Sequence, residues 1–188
     1  MSRLTGILTA LTHAHPDVRI EVIVTDAVLD FVDHNIDLAL RGRDPGTDSL
    51  VARRLSQGRS GLFASADYAS AHADAVRRGD LTGCALYDPF RQAGLVQGLQ
   101  LSASEPAFAT TSLEMCKALA VQSAGVALLP HATCEAEVAA GSLVELDCDC
   151  DFPELPLYLV MPGKRLLPAR VRALIDHFVD SNRSVPLL

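Results

Sequence analysis

The chain has 188 residues, of which 49% are hydrophobic and 21% charged, so it is long enough to bury a core in one or two compact lobes. Its formal net charge of −7 argues against direct binding of nucleic acid, because phosphate contacts need a basic face. Its apolar runs are far shorter than the roughly 20 residues that cross a bilayer, and its first residues do not resemble a signal peptide. We therefore expect a cytoplasmic protein without a membrane segment.

The five cysteines indicate a reduced compartment, because an odd number does not complete a disulfide framework. The one close pair is Cys148 and Cys150, and its spacing lacks the second half of a zinc site. On a strand, both thiols would point the same way and a bridge between them would be strained. We favour free thiols over a metal or redox site, and we expect no cofactor.

The first part of the chain alternates predicted helices and strands. Residues 4–15 have the apolar spacing of an amphipathic helix, which Pro16 ends. Residues 18–24 alternate as in a strand. Asp26 suits the N-cap of a following helix, and residues 36–40 form the next predicted strand.

The rest of the chain continues the alternation. Residues 51–55 and 62–65 are predicted to be extended, and short helices are predicted at 67–72 and 74–78. The later predicted elements are strands at 85–87, 99–102, 107–110, 143–146 and 155–161, and helices at 132–140 and from Pro168 onward. This order predicts an α/β fold with largely parallel sheets.

The stretch from Thr110 to Pro130 is the most informative part of the sequence. Thr111 and Glu114 have the spacing of a capping box before a helix over 113–120, and 126–129 is a short apolar run typical of a buried parallel strand. A helix that starts at the carboxyl edge of such a sheet offers free N–H groups to an anionic ligand. The alternative is that Thr111 and Ser112 only cap the helix.

Catalytic motifs are missing from the sequence. There is no G-x-S-x-G nucleophile elbow, no G-x-G-x-x-G and no phosphate loop. Among the histidines, only His13 and His15 lie close together, and they lack a third metal ligand. We therefore predict that the chain is not an enzyme.

A series of segments resembles the LysR-type transcriptional regulators, and it covers nearly the whole chain in the right order. The matching segments are 15–22 (HPDVRIEV), 36–41 (IDLALR), 49–55 (SLVARRL), 64–68 (ASADY), 125–130 (GVALLP), 140–144 (AGSLV), 155–158 (LPLY) and 168–176 (PARVRALID). Each motif is weak alone, but the series is specific. The chain therefore resembles the C-terminal effector-binding domain of these regulators.

The resemblance implies a fold like that of the type 2 periplasmic binding proteins, with two α/β lobes around a ligand cleft. Residues 1–58 and 160–188 would form lobe 1, and 59–159 would form lobe 2. The family binds a small metabolite in the cleft, often a carboxylate or aromatic acid, and passes the signal to an N-terminal winged helix-turn-helix. Regulatory domains of the family pair through the first helix and its neighbouring strand, so a homo-oligomer is expected.

The sequence departs from the family pattern at its start. Judged against the family pattern, we expect the sequence to lack the winged helix-turn-helix and linker helix that would precede Met1, and the first strand of lobe 1 as well. We therefore expect any DNA contact to come only through an N-terminal domain that this sequence lacks.

The resemblance places a set of candidate effector-binding residues at strand ends around the cleft. They are Thr25, Asp26, Arg41, Gly42, Thr110, Thr111, Ser112, Pro130 and His131. Arg41 would pair with a ligand carboxylate, although a surface ion pair with Asp44 or Asp48 is the more ordinary alternative. Asp26 is better explained as a helix cap, and His131 is either a ligand donor or a solvated helix start.

The main hypothesis is an effector-sensing domain of a LysR-type regulator that binds a small, anionic metabolite. The alternative is a stand-alone cytosolic binding protein, or a short regulator that acts by oligomerising with full-length relatives. The effector, the target genes and the sign of regulation do not follow from the sequence.

Overall fold

The computed structural model describes residues 2–25, 27–47, 49–82, 84–89, 93–101, 109–152, 154–163 and 168–184. The chain divides into two compact units: residues 1–58 with 156–188 form unit 1, and residues 59–155 form unit 2. Within the described residues, no helix combines the length and apolar character needed to cross a membrane.

Unit 1 is built on short strands and two helices. Its elements are α1 (Ser2–Ala14), β1 (Ala39–Arg41), the first part of β2 (Leu50–Ala64), most of β8 (Glu154–Pro162) and α5 (Ala169–Ser184). Strand β8 pairs antiparallel with β1 and also neighbours β2. Leu159 and Met161 of β8 pack against Val171 and Ile175 of α5, which form the core of this unit.

Unit 2 contains the remaining elements. They are α2 (Ala66–Arg77), β3 (Asp80–Leu81), β4 (Leu86–Tyr87), a 3₁₀ turn (Ala93–Leu95), β5 (Gln100–Leu101), α3 (Leu113–Val121), β6 (Val126–Pro130), α4 (His131–Ala139) and β7 (Val144–Glu145). Strand β6 lies between β2, to which it is antiparallel, and β4, to which it is parallel. Strand β7 pairs antiparallel with β2, and β3 pairs parallel with β5.

All five residues of β6 are buried, and they divide between two cores because successive side chains point to opposite faces. Val126 and Leu128 join Val76 of α2 in one core. Ala127 and Leu129 join the second core, which also contains Cys116 of α3 and Cys134 of α4. Unit 2 is therefore a sheet covered by helices on both faces, which explains why β6 is a continuous apolar run.

Most of the elements from residue 50 onward confirm the predictions, with differences in detail. The two extended segments at 51–55 and 62–65 form one strand, β2, and the two short helices between 67 and 78 form one helix, α2. Ser65 caps α2, because its hydroxyl accepts the N–H of Tyr68. The prediction of largely parallel sheets is wrong: β1 with β8, β2 with β6 and β2 with β7 are all antiparallel.

The strand predicted at 18–24 and the helix predicted after Asp26 are both wrong for the described residues. Val22, Ile23 and Val24 are 52%, 52% and 73% exposed, and no described strand pairs with them. Alternating apolar and polar residues place the apolar side chains on one face of a strand. A strand also needs a neighbouring strand to satisfy its backbone N–H and C=O groups. Residues 27–30 have no regular secondary structure, and residues 31–35 form turns instead of a helix.

A local hydrogen-bond network explains the turns at 31–35. Asp30 accepts the N–H groups of Val32 and Asp33 through its carboxylate, at 2.7 and 3.0 Å, and these bonds hold the pKa of Asp30 below its ordinary value. Asn35 ends the segment with a φ of +50°, a conformation that asparagine tolerates better than most residues. Asp26 itself lies outside the described residues.

The cysteines also differ from the prediction. Cys148 and Cys150 form a disulfide, whereas Cys84, Cys116 and Cys134 are buried and take no part in a disulfide. The expectation of free thiols assumed a strand, but the chain bends at Asp149. The bend leaves the two Cα atoms 5.3 Å apart, within the usual range for a bridge.

Gly125 is required by the packing of β6 against β4. The Val126 N–H donates to the Ala85 carbonyl at 2.8 Å. A Cβ added to Gly125 would lie 2.3 Å from that same carbonyl oxygen and 2.9 Å from the Tyr87 ring. Since the obstacle is backbone, a side chain at this position would separate the two strands.

We expect Gly125→Ala to lower the free energy of unfolding by about 1–3 kcal/mol, the usual cost of overpacking a core. Urea unfolding followed by circular dichroism measures this change. The control is Gly6→Ala, in α1, where no atom lies within 4 Å of the added Cβ and where alanine is the better helix former. Equal stability of the two variants would contradict the close approach at Gly125.

Candidate functional site

The start of α3 is held by hydroxyl groups. Ser112 is the N-cap, and its Oγ accepts the N–H of Met115 at 3.3 Å. The N–H of Ser112 in turn donates to Thr110 Oγ1 at 3.1 Å. The predicted capping box is therefore wrong by one residue, because Ser112 and not Thr111 caps the helix.

These contacts leave part of the helix start available. Of the first four N–H groups of α3, those of Met115 and Cys116 donate to Ser112. Those of Leu113 and Glu114 have no partner in the described part of the chain. Such groups, together with the positive end of the helix dipole, favour an anion. The negative charge of Glu114 in the same turn is offset by Lys117, whose Nζ lies 3.2 Å from Glu114 Oε2.

Lys117 also joins α3 to α4. Its Nζ lies 2.8 Å from Glu137 Oε1 and donates to the Thr133 carbonyl at 3.2 Å. Burial alone would lower the pKa of Lys117, but the hydrogen bonds and charges of Glu137 and Glu114 raise it above its ordinary value. For Glu137, burial would raise the pKa, but the hydrogen bond from Lys117 lowers it overall.

The Lys117–Glu137 pair makes a test of this connection possible. Glu137→Gln should lower the free energy of unfolding by about 1.5–3 kcal/mol at neutral pH, the value of a hydrogen bond to a charged group. Because the folded protein lowers the pKa of Glu137 below 4.5, this contribution is complete above that pH and is lost as the pH falls through the lowered pKa. The difference between variant and wild type should therefore shrink in acid.

Glu114→Gln is the matched control, because Glu114 contacts the same lysine but is 60% exposed, against 25% for Glu137. It should cost less than about 1 kcal/mol, as exposed pairs do. Chemical denaturation between pH 3 and 7 measures both variants. An equal, pH-independent loss in both would contradict the assigned role of Glu137.

His131 lies at the junction of β6 and α4, and its ring is held on three sides. Nδ1 lies 3.0 Å from the Arg59 carbonyl, and Nε2 lies 2.6 Å from Glu145 Oε1. The ring also meets the edge of Phe63, with centroids 5.4 Å apart. Since both nitrogens face oxygen acceptors, an N–H on each nitrogen would satisfy both, which is the cationic form of the imidazole.

Strand register explains why His131 meets Glu145. Ser60 of β2 pairs with Pro130 on one side, and Phe63 of β2 pairs with Glu145 on the other. The His131–Glu145 contact therefore crosses β2 at Gly61. A Cβ at Gly61 would lie 2.9 Å from Glu145 Oε1 and 3.0 Å from the His131 ring, so the absent side chain makes room for the pair.

A cavity of about 260 Å³ lies beside this pair, and we call it the His131 pocket. Its lining residues are Arg59, Ser60, His131, Glu145, Phe152 and Glu154. All of them belong to unit 2. The pocket therefore combines charges of both signs with a buried hydroxyl, that of Ser60, and one aromatic ring.

The structure brings some of the predicted residues together and separates others. Thr110, Thr111 and Ser112 share the start of α3, and Pro130 and His131 join β6 to α4. Of the predicted residues that the structure describes, His131 alone lines the pocket.

The predicted residues of unit 1 are engaged locally. Thr25 accepts the N–H of Ala27 at 3.1 Å, and Gly42 is exposed. Arg41 donates to the Leu29 carbonyl at 2.9 Å, and its guanidinium carbon lies 5.1 Å from the centre of the Phe31 ring. Within the described residues no ion pair joins Arg41 to Asp44, and Asp48 lies outside them. Effector binding by these residues stays a prediction.

Five lining residues were missed by sequence reasoning: Arg59, Ser60, Glu145, Phe152 and Glu154. One signal was available, since Gly61 directly precedes the extended segment predicted at 62–65, and a glycine at a strand often marks a close approach of another part of the chain. Glu145 lies in a short strand between Val144 and Leu146, and nothing in that pattern names its partner. For metals, the described residues contain no group of three or more His, Cys, Asp or Glu side chains that could hold an ion.

Comparison with known proteins identifies the family. The protein-family model of the LysR substrate binding domain matches residues 1–183 of this chain. The chain belongs to this family. The resemblance to the effector-binding domain of LysR-type regulators is thereby confirmed.

Individual relatives agree with this assignment. The HTH-type transcriptional regulator PtxR of Pseudomonas aeruginosa is 26% identical over 186 residues, which cover 92% of this chain and 58% of PtxR. The HTH-type regulator CrgA of Neisseria meningitidis is 22% identical and covers 94% of this chain and 62% of its own length. The chain spans about 60% of the length of the curated relatives that it matches, and these relatives are transcriptional regulators rather than enzymes.

Solved structures confirm the fold. The regulatory domain of CrgA superimposes with a TM-score of 0.78 at 21% identity, covering 94% of this chain and 90% of that domain. The effector domain of AmpR from Pseudomonas aeruginosa gives a TM-score of 0.81 at 18% identity, covering 97% and 90%. The predicted α/β fold, of the type 2 periplasmic-binding-protein kind, is confirmed.

Proposed function

We propose that this chain senses a small anionic metabolite, a carboxylate or aromatic acid, on behalf of a LysR-type transcriptional regulator. Its membership of the LysR substrate-binding family supports the regulatory role. The observation that carries the choice of ligand is the start of α3, where the N–H groups of Leu113 and Glu114 have no partner among the described residues. The binding of this metabolite in a cleft between two lobes, which the resemblance implies, stays a prediction.

Binding would act by shifting conformational populations. A ligand that prefers one conformation of the domain favours that conformation, and its effect reaches a second site only through a coupling free energy. In the intact regulator, the second site would be an N-terminal winged helix-turn-helix on DNA. The domain itself would catalyse no reaction, and it would work in the cytoplasm, where operators are found.

The proposal can be tested by removing one backbone N–H. Leu113 is the first residue of α3, a position where proline fits a helix and only deletes an N–H that has no helical partner. Leu113→Ala is the matched control, because it also shortens the side chain but keeps the N–H. Succinate, benzoate and salicylate serve as probes, and two-dimensional NMR reports binding through the amide signals of Leu113 and Glu114, or of Glu114 alone in Leu113→Pro, which has no amide proton at position 113.

We expect at least one of these anions to shift the two amide signals, and Leu113→Pro to weaken its binding by about tenfold, which corresponds to about 1.4 kcal/mol. Leu113→Ala should bind as the wild type does. If both variants bind equally well, or if none of the anions perturbs the start of α3, the helix start does not bind an anionic effector.

Self-association is the second part of the proposal. The exposed apolar run at Val22, Ile23 and Val24 follows α1, the helix through which the family resemblance places a dimer. Exposed apolar patches of this kind mark interaction sites. Homo-oligomer formation through α1 and this segment would bury them, and the same surface would serve a chain that pairs with full-length relatives.

We expect sedimentation velocity to show association of the wild-type chain, and Val24→Asp to shift it toward monomer, because a carboxylate would be buried without a partner. Leu95→Asp is the control, since Leu95 is 66% exposed and lies in the 3₁₀ turn of unit 2. A wild-type chain that stays monomeric, or equal effects of the two substitutions, would contradict this surface.

A further inference from the structure

The disulfide between Cys148 and Cys150 lies between β7 and β8, and no role has been assigned to it so far. Both cysteines are half-buried and pack against one of the two cores of unit 2. The other three are more deeply buried, since Cys84, Cys116 and Cys134 are 6%, 0% and 0% exposed. A molecule from solution therefore reaches the bridged pair more easily than any other cysteine of the chain.

The bridge lies against two glycines in the left-handed backbone conformation, Gly79 with a φ of +71° and Gly98 with a φ of +87°. A Cβ added to Gly79 would lie 3.1 Å from Cys150 Sγ and 2.2 Å from the Gly98 carbonyl oxygen. A Cβ added to Gly98 would lie 3.1 Å from the Asp149 carbonyl oxygen. The end of α2 and the segment before β5 thus have no side chain at these two points, which leaves room for Cys150.

Backbone hydrogen bonds connect the bend at Asp149 to both of these segments. The Asp149 N–H donates to the carbonyl of Arg77, the last residue of α2, at 3.2 Å. Gln97 and Asp151 exchange two N–H to C=O bonds of 3.1 Å each and form an isolated antiparallel bridge. The residues on either side of Cys150 are therefore held in place, which positions its sulfur beside that of Cys148.

The covalent bond and the bend favour each other. Two residues of an extended strand advance about 6.6 Å, close to the upper limit for the Cα atoms of bridged cysteines. The bend reduces this distance to 5.3 Å. A bridge that closes so short a loop adds little stability by restricting the unfolded chain, because that contribution grows with loop length. The pair is therefore better explained by redox chemistry than by stabilisation of the fold.

Carboxylates flank the bridge along the sequence. Asp147, Asp149 and Asp151 alternate with the two cysteines, and all three are exposed. Thiol–disulfide exchange begins when a thiolate attacks one sulfur of the bridge, and a negatively charged surface slows the approach of an anionic reagent. The site therefore favours thiols that carry a positive charge over thiols that carry a carboxylate.

The buried cysteines are poorly suited to the same reaction. Burial raises the pKa of Cys134 to about 11, and it also raises the pKa of Cys84. Since the thiolate is the reactive form of cysteine, both thiols stay protonated near neutral pH. Cys116 is fully buried, so a reagent in solution does not reach it.

We propose that Cys148 and Cys150 form a reversible thiol–disulfide site for small thiols, with cationic thiols preferred over anionic ones. A thiolate of the reductant attacks one sulfur of the bridge, forms a mixed disulfide with it and releases the other sulfur as a thiolate, which takes up a proton. A second thiolate of the reductant attacks the reductant sulfur of the mixed disulfide and releases the second cysteine, which is also protonated. The protein gains two electrons and two protons, and two reductant thiols become one disulfide; the reverse steps restore the bridge.

Reduction would also affect the His131 pocket. The bridge ends two residues before Phe152 and four before Glu154, and both of these residues line that pocket. Without the bond, the bend at Asp149 loses its covalent constraint, so the segment that leads to the pocket gains conformational freedom. This site goes beyond the proposed effector binding, because its chemistry requires no ligand at the start of α3.

Equilibration of the intact chain in mixtures of cysteamine and its disulfide, cystamine, tests the proposal. Iodoacetamide then labels free thiols, and peptide mass spectrometry reports the state of Cys148 and Cys150. We expect the pair to pass from disulfide to dithiol as the mixture becomes more reducing, and to return as it becomes more oxidising. A pair that stays bridged in millimolar cysteamine, or that stays reduced in millimolar cystamine, would overturn the proposal.

The charge preference is tested by comparing cysteamine with 3-mercaptopropionate, a thiol of similar length and opposite charge. At equal concentrations of thiolate, cysteamine should reduce the bridge about tenfold faster, a modest effect of electrostatic attraction. Asp147→Asn/Asp151→Asn should lose most of this ratio, whereas the charge-matched control Asp17→Asn/Asp33→Asn, at two exposed positions of unit 1, should keep it. An equal ratio in both double variants would contradict the charge preference, because intrinsic differences between the two thiols do not depend on the variant.

NMR spectra of the oxidised and reduced chain test the link to the pocket. We expect the amide signals of Asp149 and Phe152 to move on reduction, and to stay in place when reductant is added to Cys148→Ser/Cys150→Ser. That variant keeps the three buried cysteines, so a response in it would assign the redox chemistry to them and overturn the site. Unchanged Phe152 signals in the reduced wild type would contradict the link to the pocket. Leu113→Pro should be reduced and reoxidised as the wild type is, so a failure of the α3 proposal is distinguished from a failure of this one.

Discussion

The burial of β6 is the constraint on which the rest of unit 2 depends. Its five residues are buried, so both faces of the strand need cover, and its alternating side chains supply two different cores. Helix α3 ends just before the strand and α4 starts directly after it, which places both helices on the same buried element. Gly125 allows this arrangement, because any larger residue would meet the backbone carbonyl of Ala85, directly before β4. The positions of the two helix starts follow from this packing.

The polar groups around this core fall into two kinds. Some are satisfied within the protein: Lys117 binds Glu137, and His131 binds Glu145 and the Arg59 carbonyl. These contacts hold the helices and the pocket wall in place, and removing one partner leaves a charge behind. The N–H groups of Leu113 and Glu114 and the guanidinium of Arg59 belong to the second kind, since the described residues leave them available. We expect ligands to bind where polar groups that remain available are held in position by groups that are paired within the protein.

Sequence patterns predicted what depends on local chemistry and missed what depends on pairing. The apolar run at 126–129 and the helix before it were both identified, because burial and capping depend on residues that are close together in the sequence. The segment at 18–24 has the pattern of a strand but lacks a described partner, and a bend at Asp149 brought Cys148 to Cys150. The His131–Glu145 contact requires the register of β2 against two other strands, which periodicity does not contain. For that reason, His131 was predicted as a site residue but its surroundings were not.

The central claim is that the buried strand β6 holds the start of α3 in place while the first N–H groups of α3 remain without a partner among the described residues. Residue-resolved hydrogen exchange of the ligand-free chain tests this claim most directly. Amides of Ala127, Leu128 and Leu129 should exchange the most slowly in unit 2, close to the rate set by global unfolding. Those of Leu113 and Glu114 should exchange rapidly, whereas that of Met115, which donates to Ser112 Oγ, should be slower. Protection of Leu113 and Glu114 equal to that of β6 would show that the helix start is already occupied by the protein itself, and rapid exchange throughout β6 would contradict its role as the frame.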